Sequence, residues 1–168
     1  MTIYAMLDSP LGELLLVGEE SETATGGTAL RSLSVPGQKS GVTVQDGWRE
    51  DSEAFAEITR RLGSYFDGEL TRFDIEYTTS GTPFQQQVWK ALEDIEHGTT
   101  LTYAQVADRA GIPRSSSRAV GTAIGANPLL VVRPCHRVLG SGGALTGYAG
   151  GLERKRQLLD LENVRQAV

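Results

Sequence analysis

Near residue 80 the chain changes its hydrophobic rhythm, and that break divides what it can fold into. Before it, short apolar stretches alternate with turn residues. Thr2 to Leu7, then Ser9-Pro10-Leu11-Gly12, then Glu13 to Val17 predict a hairpin. Weaker strand patterns follow at Ala29 to Val35 and Val42 to Val44, and Phe73 to Tyr77 alternates like an edge strand. Between them Phe55, Ile58, Leu62 and Phe66 recur at three and four residues, predicting an amphipathic helix over Ser52 to Phe66. Ser52 is its expected N-cap, and Asp67-Gly68 its stop.

After the break the chain reads as helices punctuated by glycine. Thr82-Pro83 opens a helix over Phe84 to Ile95, with Pro83 at the first helical position, where a missing N–H costs nothing. A second helix runs Tyr103 to Ala110 behind Thr102 and is stopped by Gly111-Ile112-Pro113; a third runs Ser115 to Ile124. Two short helices so spaced form a helix-turn-helix pattern with the third as recognition helix. That helix carries small side chains at Ser115, Ser116, Ser117, Ala119, Gly121, Thr122, Ala123 and Gly125, with Arg118 as its one long side chain. Such a helix suits close packing on a neighbour or close entry into a groove, and the residues alone do not choose. The apolar stretch Leu129 to Val132, a glycine-rich loop over 140–151 and a last helix from Leu152 to Val164 complete the chain. The expected class is α+β in two domains, 1–80 and 81–168.

Charge divides the chain as well. The net charge of -5 argues on its face against a polyanionic partner, but residues 1–96 hold 7 Lys and Arg against 17 Asp and Glu, while residues 97–152 hold 5 against 1. The second segment is basic and contains the single cysteine, Cys135. One cysteine excludes an intramolecular disulfide, and with only His97 and His136 to accompany it a structural zinc site is not expected. No apolar run reaches the roughly 18 residues of a membrane span and the N-terminus has no secretion-signal pattern, so a cytoplasmic protein is expected.

A lone cysteine is by default a small buried hydrophobe. Here it stands in Arg133-Pro134-Cys135-His136-Arg137-Val138, pinned by a proline, next to a potential base and ahead of the glycine loop. The thiolate is the nucleophile, so a reactive cysteine needs a base or positive charge nearby. A histidine base needs an orienting carboxylate, and Asp160 or Glu162 on the last helix are the nearest downstream.

Pro134-Cys135-His136-Arg137-Val138, together with Ser117-Arg118-Ala119-Val120-Gly121, Asn127-Pro128 and Gly147-Tyr148-Ala149-Gly150-Gly151, resembles the O6-alkylguanine-DNA alkyltransferase family. The match runs from Phe84-Gln85-Gln86-Gln87-Val88-Trp89 to Glu162. The resemblance implies a small N-terminal α/β domain with a short antiparallel sheet, ribonuclease H-like, followed by a helical domain with a winged helix-turn-helix. It implies repair of double-stranded DNA carrying O6-alkylguanine, in a single turnover and without a cofactor. Cys135 would be the alkyl acceptor, His136 would take its proton through a bridging water, and Glu162 would hold the histidine. Asn127 would brace the turns around the site. Tyr103 would rotate the target nucleotide and donate to the flipped guanine, and Arg118 would fill the gap in the base stack. Ser117, Ala119 and Gly121 would lie against the DNA as the helix enters the minor groove. The backbone carbonyls of Cys135 and Val138 would meet the guanine amino group, and Tyr148, Ala149 and Gly150 would close the pocket. Activity on O4-alkylthymine and self-association on DNA are left open.

Two features depart from the family pattern. Arg133 stands where an aliphatic residue usually precedes the Pro-Cys, and the stretch between Tyr103 and Arg118 is one residue longer, so the turn between the helices is expected to be reshaped. Three rival readings remain: a non-catalytic relative that only binds alkylated DNA, a winged-helix DNA-binding protein without chemistry, and a cysteine hydrolase. The first lacks the acceptor cysteine, which is present here; the other two leave either Cys135 or Arg118 without a purpose.

Overall fold

The computed structural model describes residues 1–39 and 41–164 and divides into two compact units, Met1–Thr79 and Ser80–Val168. In the first, β1 (Ile3–Ser9) and β2 (Gly12–Glu20) form the expected hairpin, pairing from Ile3 with Gly18 to Ser9 with Gly12. β3 (Thr28–Ser34) pairs antiparallel with β2, and the two-residue β4 (Arg49–Glu50) pairs parallel with β1, giving the order β3-β2-β1-β4. The β2–β3 register shifts between Val17 and Gly18, where a Cβ on Gly18 would stand 2.6 Å from the Ala29 carbonyl oxygen. Only glycine allows that approach.

Five expectations for this unit are corrected. The helix over Ser52 to Phe66 is a 3-10 turn, Glu53–Phe55, followed by α1 (Ala56–Phe66). Ser52 makes no side-chain cap, because Asp51 Oδ1 accepts from the Ala54 N–H at 3.2 Å and does that work one residue earlier. The buried stripe is Phe55, Ile58, Leu62 and Tyr65, with Tyr65 1% exposed and Phe66 only partly covered. Phe73 to Tyr77 is no strand: Leu30 meets Tyr77 in an isolated bridge, and Asp74, with φ of 49°, breaks the extended run. Val42 to Val44 is also irregular.

The second unit contains α2 (Pro83–Glu93), β5 (Leu101–Thr102), α3 (Tyr103–Ala110), α4 (Ser117–Gly125), β6 (Val138–Leu139) and α5 (Leu152–Leu161). Both capping positions read from sequence are full capping boxes, Thr82 with Gln85 and Thr102 with Gln105. Each satisfies two N–H groups that a helix start leaves without partners, worth on the order of 1 kcal/mol. α3 ends at Gly111, whose φ of 72° is the left-handed cap glycine adopts without strain. The longer inter-helix turn is taken up by a 3-10 turn at Arg114–Ser116 just before α4, which therefore starts two residues later than expected. α2 stops two residues short of Ile95, and α5 ends at Leu161, with Glu162 as its C-cap and Asn163 left-handed at φ 60°. β5 and β6 pair in parallel, setting the N-terminus of α3 beside the residue pair that follows the cysteine turn. No helix among the described residues is long and apolar enough to cross a membrane.

Candidate active site

Cys135 opens a 3-10 turn, Cys135–Arg137, entered through Pro134 and closed by the Arg137 N–H on the Pro134 carbonyl at 3.1 Å. Proline's fixed φ and this tight turn put Cys135, His136 and Arg137 all inside the domain. His136 is fully buried, and its Nε2 lies 2.8 Å from Glu162 Oε2. Of the two carboxylates considered from sequence, Glu162 is thus the partner, while Asp160 is exposed. Arg137 grips the same carboxylate in a fork, Nε to Oε1 at 2.7 Å and Nη2 to Oε2 at 3.0 Å, and donates from Nη1 to the Ile95 carbonyl at 2.5 Å. Sequence reading had given Arg137 only a place in the motif.

Electrostatics follow from this burial. Burial alone would raise the Glu162 pKa, but the hydrogen bonds from His136 and Arg137 hold it well below the ordinary carboxylate range. Burial lowers the His136 pKa against the pull of Glu162, so the imidazole is neutral near pH 7. A neutral ring donating from Nε2 to a carboxylate leaves Nδ1 as an acceptor, and Nδ1 has no hydrogen-bond partner among the described residues. Burial pushes the Cys135 thiol up to about 11, opposed by a hydrogen bond from Asn127 and by the charges of Lys155 and Arg133. The resting cysteine is therefore a thiol that needs a base.

Asn127 is 1% exposed and its amide bonds across the turn before the cysteine. Its Oδ1 accepts from the Leu129 N–H at 3.0 Å, and its Nδ2 donates to the carbonyls of Leu129 and Arg133 at 3.2 and 3.1 Å. It thereby ties down a strained stretch in which Val131 takes a φ of 71°. Val138 is buried in β6. In the loop, Tyr148 and Ala149 are half-buried and Gly150 is buried. A Cβ on Gly147 would come within 3.6 Å of Tyr103 Oη, which places the Tyr103 hydroxyl at this loop.

Lys155 went unremarked in the sequence, yet it is 1% exposed and donates to the carbonyls of Thr146 and Gly147, the latter at 3.0 Å. Burial brings its pKa down to about 8. Its position carried a signal: Lys155, Leu158, Leu159 and Glu162 form the buried stripe of α5 and its cap, at helical spacing.

The small residues of α4 divide between its two sides. Val120, Ala123 and Ile124 are buried, whereas Ser117, Arg118, Ala119, Thr122 and Gly125 face outward. Nothing lies within 4 Å of a Cβ built on Gly125, and one on Gly121 would touch the Tyr103 ring at 3.7 Å. Most of the small side chains therefore leave a smooth outer face, and Arg118 stands on it with no side-chain partner among the described residues.

Fold and site together define a helix-turn-helix domain built over a buried Cys-His-Glu array and joined to a small mixed-sheet domain. The chain belongs to the 6-O-methylguanine DNA methyltransferase family: that family's DNA binding domain matches residues 83–164 and its ribonuclease-like domain residues 2–78. It is 46% identical over 165 residues to the methylated-DNA--protein-cysteine methyltransferase of Mycobacterium tuberculosis, covering 98% of this chain and 94% of that protein. The protein of the same name from Methanosarcina acetivorans is 44% identical over 159 residues, covering 95% and 97%. Among solved structures, Mycobacterium tuberculosis OGT in complex with DNA superposes with a TM-score of 0.85 at 46% identity, covering 95% of this chain and 92% of that one.

Proposed function

We propose that this protein repairs DNA by direct reversal, moving the alkyl group of O6-alkylguanine in duplex DNA onto Cys135 irreversibly and once per molecule. The observation that carries the reading is the buried array itself: a thiol beside a neutral histidine whose Nε2 is held by Glu162 at 2.8 Å and whose Nδ1 is open to accept a proton. Residues 81–168 are the DNA-binding and alkyl-transfer part. His136 takes the thiol proton through a water, and Glu162 stabilises the imidazolium that forms. The Cys135 sulfur then attacks the alkyl carbon, the carbon–oxygen bond breaks with its electron pair leaving on guanine O6, and the base recovers one proton. The product is a thioether, which water does not readily cleave, so the protein is consumed.

The target atom is reachable only once the base leaves the stack. The outward face of α4, with Ser117 and Ala119, suits close approach to the minor groove, with Gly121 at its edge against the Tyr103 ring, and Arg118 is placed to fill the gap. Tyr103 meets the flipped base as a hydrogen-bond donor, the carbonyls of Cys135 and Val138 receive its amino group, and Tyr148, Ala149 and Gly150 close over it. The cytoplasm is its place of action. Titrating the protein with a radiolabelled O6-methylguanine duplex tests the reading: label transfer stops at one methyl per protein, whereas continued turnover would indicate a hydrolase and no transfer a damage-binding module.

A further inference from the structure

Arg133, the charged residue directly before Pro134-Cys135, is not a solvent-facing side chain: it is 2% exposed. Glu93 Oε1 lies 3.4 Å from its Nε and 3.3 Å from its Nη2, tying the residue to the last turn of α2. Its guanidinium carbon stands 4.8 Å over the centre of the Trp89 ring, and Trp89 is itself fixed by its Nε1 on the Ala123 carbonyl at 2.8 Å. Its Nη1 donates to Asn127 Oδ1 at 3.3 Å, while its own carbonyl accepts from Asn127 Nδ2 at 3.1 Å and from the Cys135 N–H at 2.7 Å. Arg133 therefore holds both ends of the Asn127 amide. A flipped amide would set N–H groups against the guanidinium, so the cation fixes which way Asn127 faces.

Stability alone gives little reason for this arrangement. A buried ion pair is often matched or bettered by apolar residues of similar volume, so an aliphatic side chain here would serve stability as well. What an aliphatic side chain cannot do is clamp an amide oxygen or supply charge.

We propose that Arg133 is a positioning residue for alkyl transfer, which locks the Asn127 amide against the cysteine turn and adds a fixed positive charge to that turn. The inference rests on the reading of Cys135 as acceptor. The groups around the thiol agree with it. Burial pushes the thiol up, and it is opposed by the Asn127 hydrogen bond, the Lys155 charge from α5, a backbone hydrogen bond at Cys135 and, least, the Arg133 charge. His136 is neutral, and the Arg137 charge is balanced by Glu162. Glu93 on α2 balances Arg133 only in part, since it is one-third exposed and screened by solvent.

The test is single-turnover methyl transfer from an O6-methylguanine duplex across neutral and mildly alkaline pH, with thermal unfolding in parallel, for wild type, R133M and R133K. The wild type takes up one methyl; if it does not, the acceptor reading itself fails, whatever the variants do. R133M is expected to react about tenfold more slowly at neutral pH, with its pH midpoint shifted upward. R133K is expected to recover the wild-type midpoint but to stay slower, because an ammonium cannot clamp Asn127 and stack on Trp89 together. R133M with the wild-type rate and midpoint overturns the proposal, as does R133M that loses only thermal stability. Should R133M fail to fold, R133K decides alone, and a wild-type rate in that variant overturns the clamp.

Discussion

Glu162 accepts from His136 Nε2 at 2.8 Å with one oxygen while Arg137 bonds both of its oxygens, so a single buried carboxylate orients the base and neutralises a buried cation. It reaches the cysteine turn from the C-cap of α5, 26 residues beyond His136 in the chain. Orientation of the histidine and compensation of a buried cation therefore meet in one side chain.

Replacing Glu162 with Gln should expose that double duty. Arg137 would be left as an uncompensated buried charge, costing about 3–5 kcal/mol in urea unfolding, and methyl transfer should fall about a hundredfold with the histidine no longer held. Because the folded-state pKa of Glu162 is depressed from 4.5, its contribution is complete above that value and drains away as pH falls below it. The acid limb of the stability curve should be flatter in E162Q than in wild type. An equal slope would mean that Glu162 is not ionised in the fold.

The buried thiol makes a second prediction. With the Cys135 pKa raised from 9.0 to about 11, the folded protein keeps its proton where the unfolded chain has lost it. Stability relative to Cys135→Ala should thus be intact below pH 9 and decline as pH rises from there toward 11. Free protein should react slowly with iodoacetamide at pH 7 and gain rate steadily beyond pH 9. A plateau near neutrality would contradict the thiol assignment.

Much of this architecture was legible beforehand, for local reasons. Thr82 with Gln85 and Thr102 with Gln105 announced helix starts because a cap needs only a few adjacent residues. The residues alone left Asp160 and Glu162 open as the carboxylate for His136, the family resemblance pointed to Glu162, and the fold brings Glu162 to Nε2 from the C-cap of α5. Phe73 to Tyr77 misled because alternation describes a strand only where a neighbour offers a ladder, and Asp74 turns away from one. Lys155 and Arg133 were opaque for a related reason. Their partners are loop carbonyls and a side chain on α2 that only the fold brings together.

Arg118 should matter for duplex substrate alone. It stands on the outer face of α4 without a side-chain partner among the described residues, so R118A should leave stability within about 0.5 kcal/mol. Transfer from a duplex should slow by about a hundredfold, since filling the stack offsets a few kcal/mol of base extrusion. Transfer from a single strand should barely change. Equal losses on both substrates would place Arg118 in general DNA binding instead.

Lys155 holds the glycine loop through two carbonyls, so K155M should loosen it. Amide exchange over 146–150 should accelerate at least tenfold, corresponding to about 1.4 kcal/mol of local stability, with methyl transfer reduced alongside. Unchanged exchange with reduced transfer would assign Lys155 to the electrostatics of Cys135 rather than to the loop.

The most direct measurement is the intact mass of the protein after incubation with a duplex carrying one O6-methylguanine, followed by peptide mapping, with Cys135→Ser beside it. The account predicts a single added methyl on the peptide containing Cys135 and none on the variant. A methyl found elsewhere, or no mass change while the damaged duplex is bound, would contradict it.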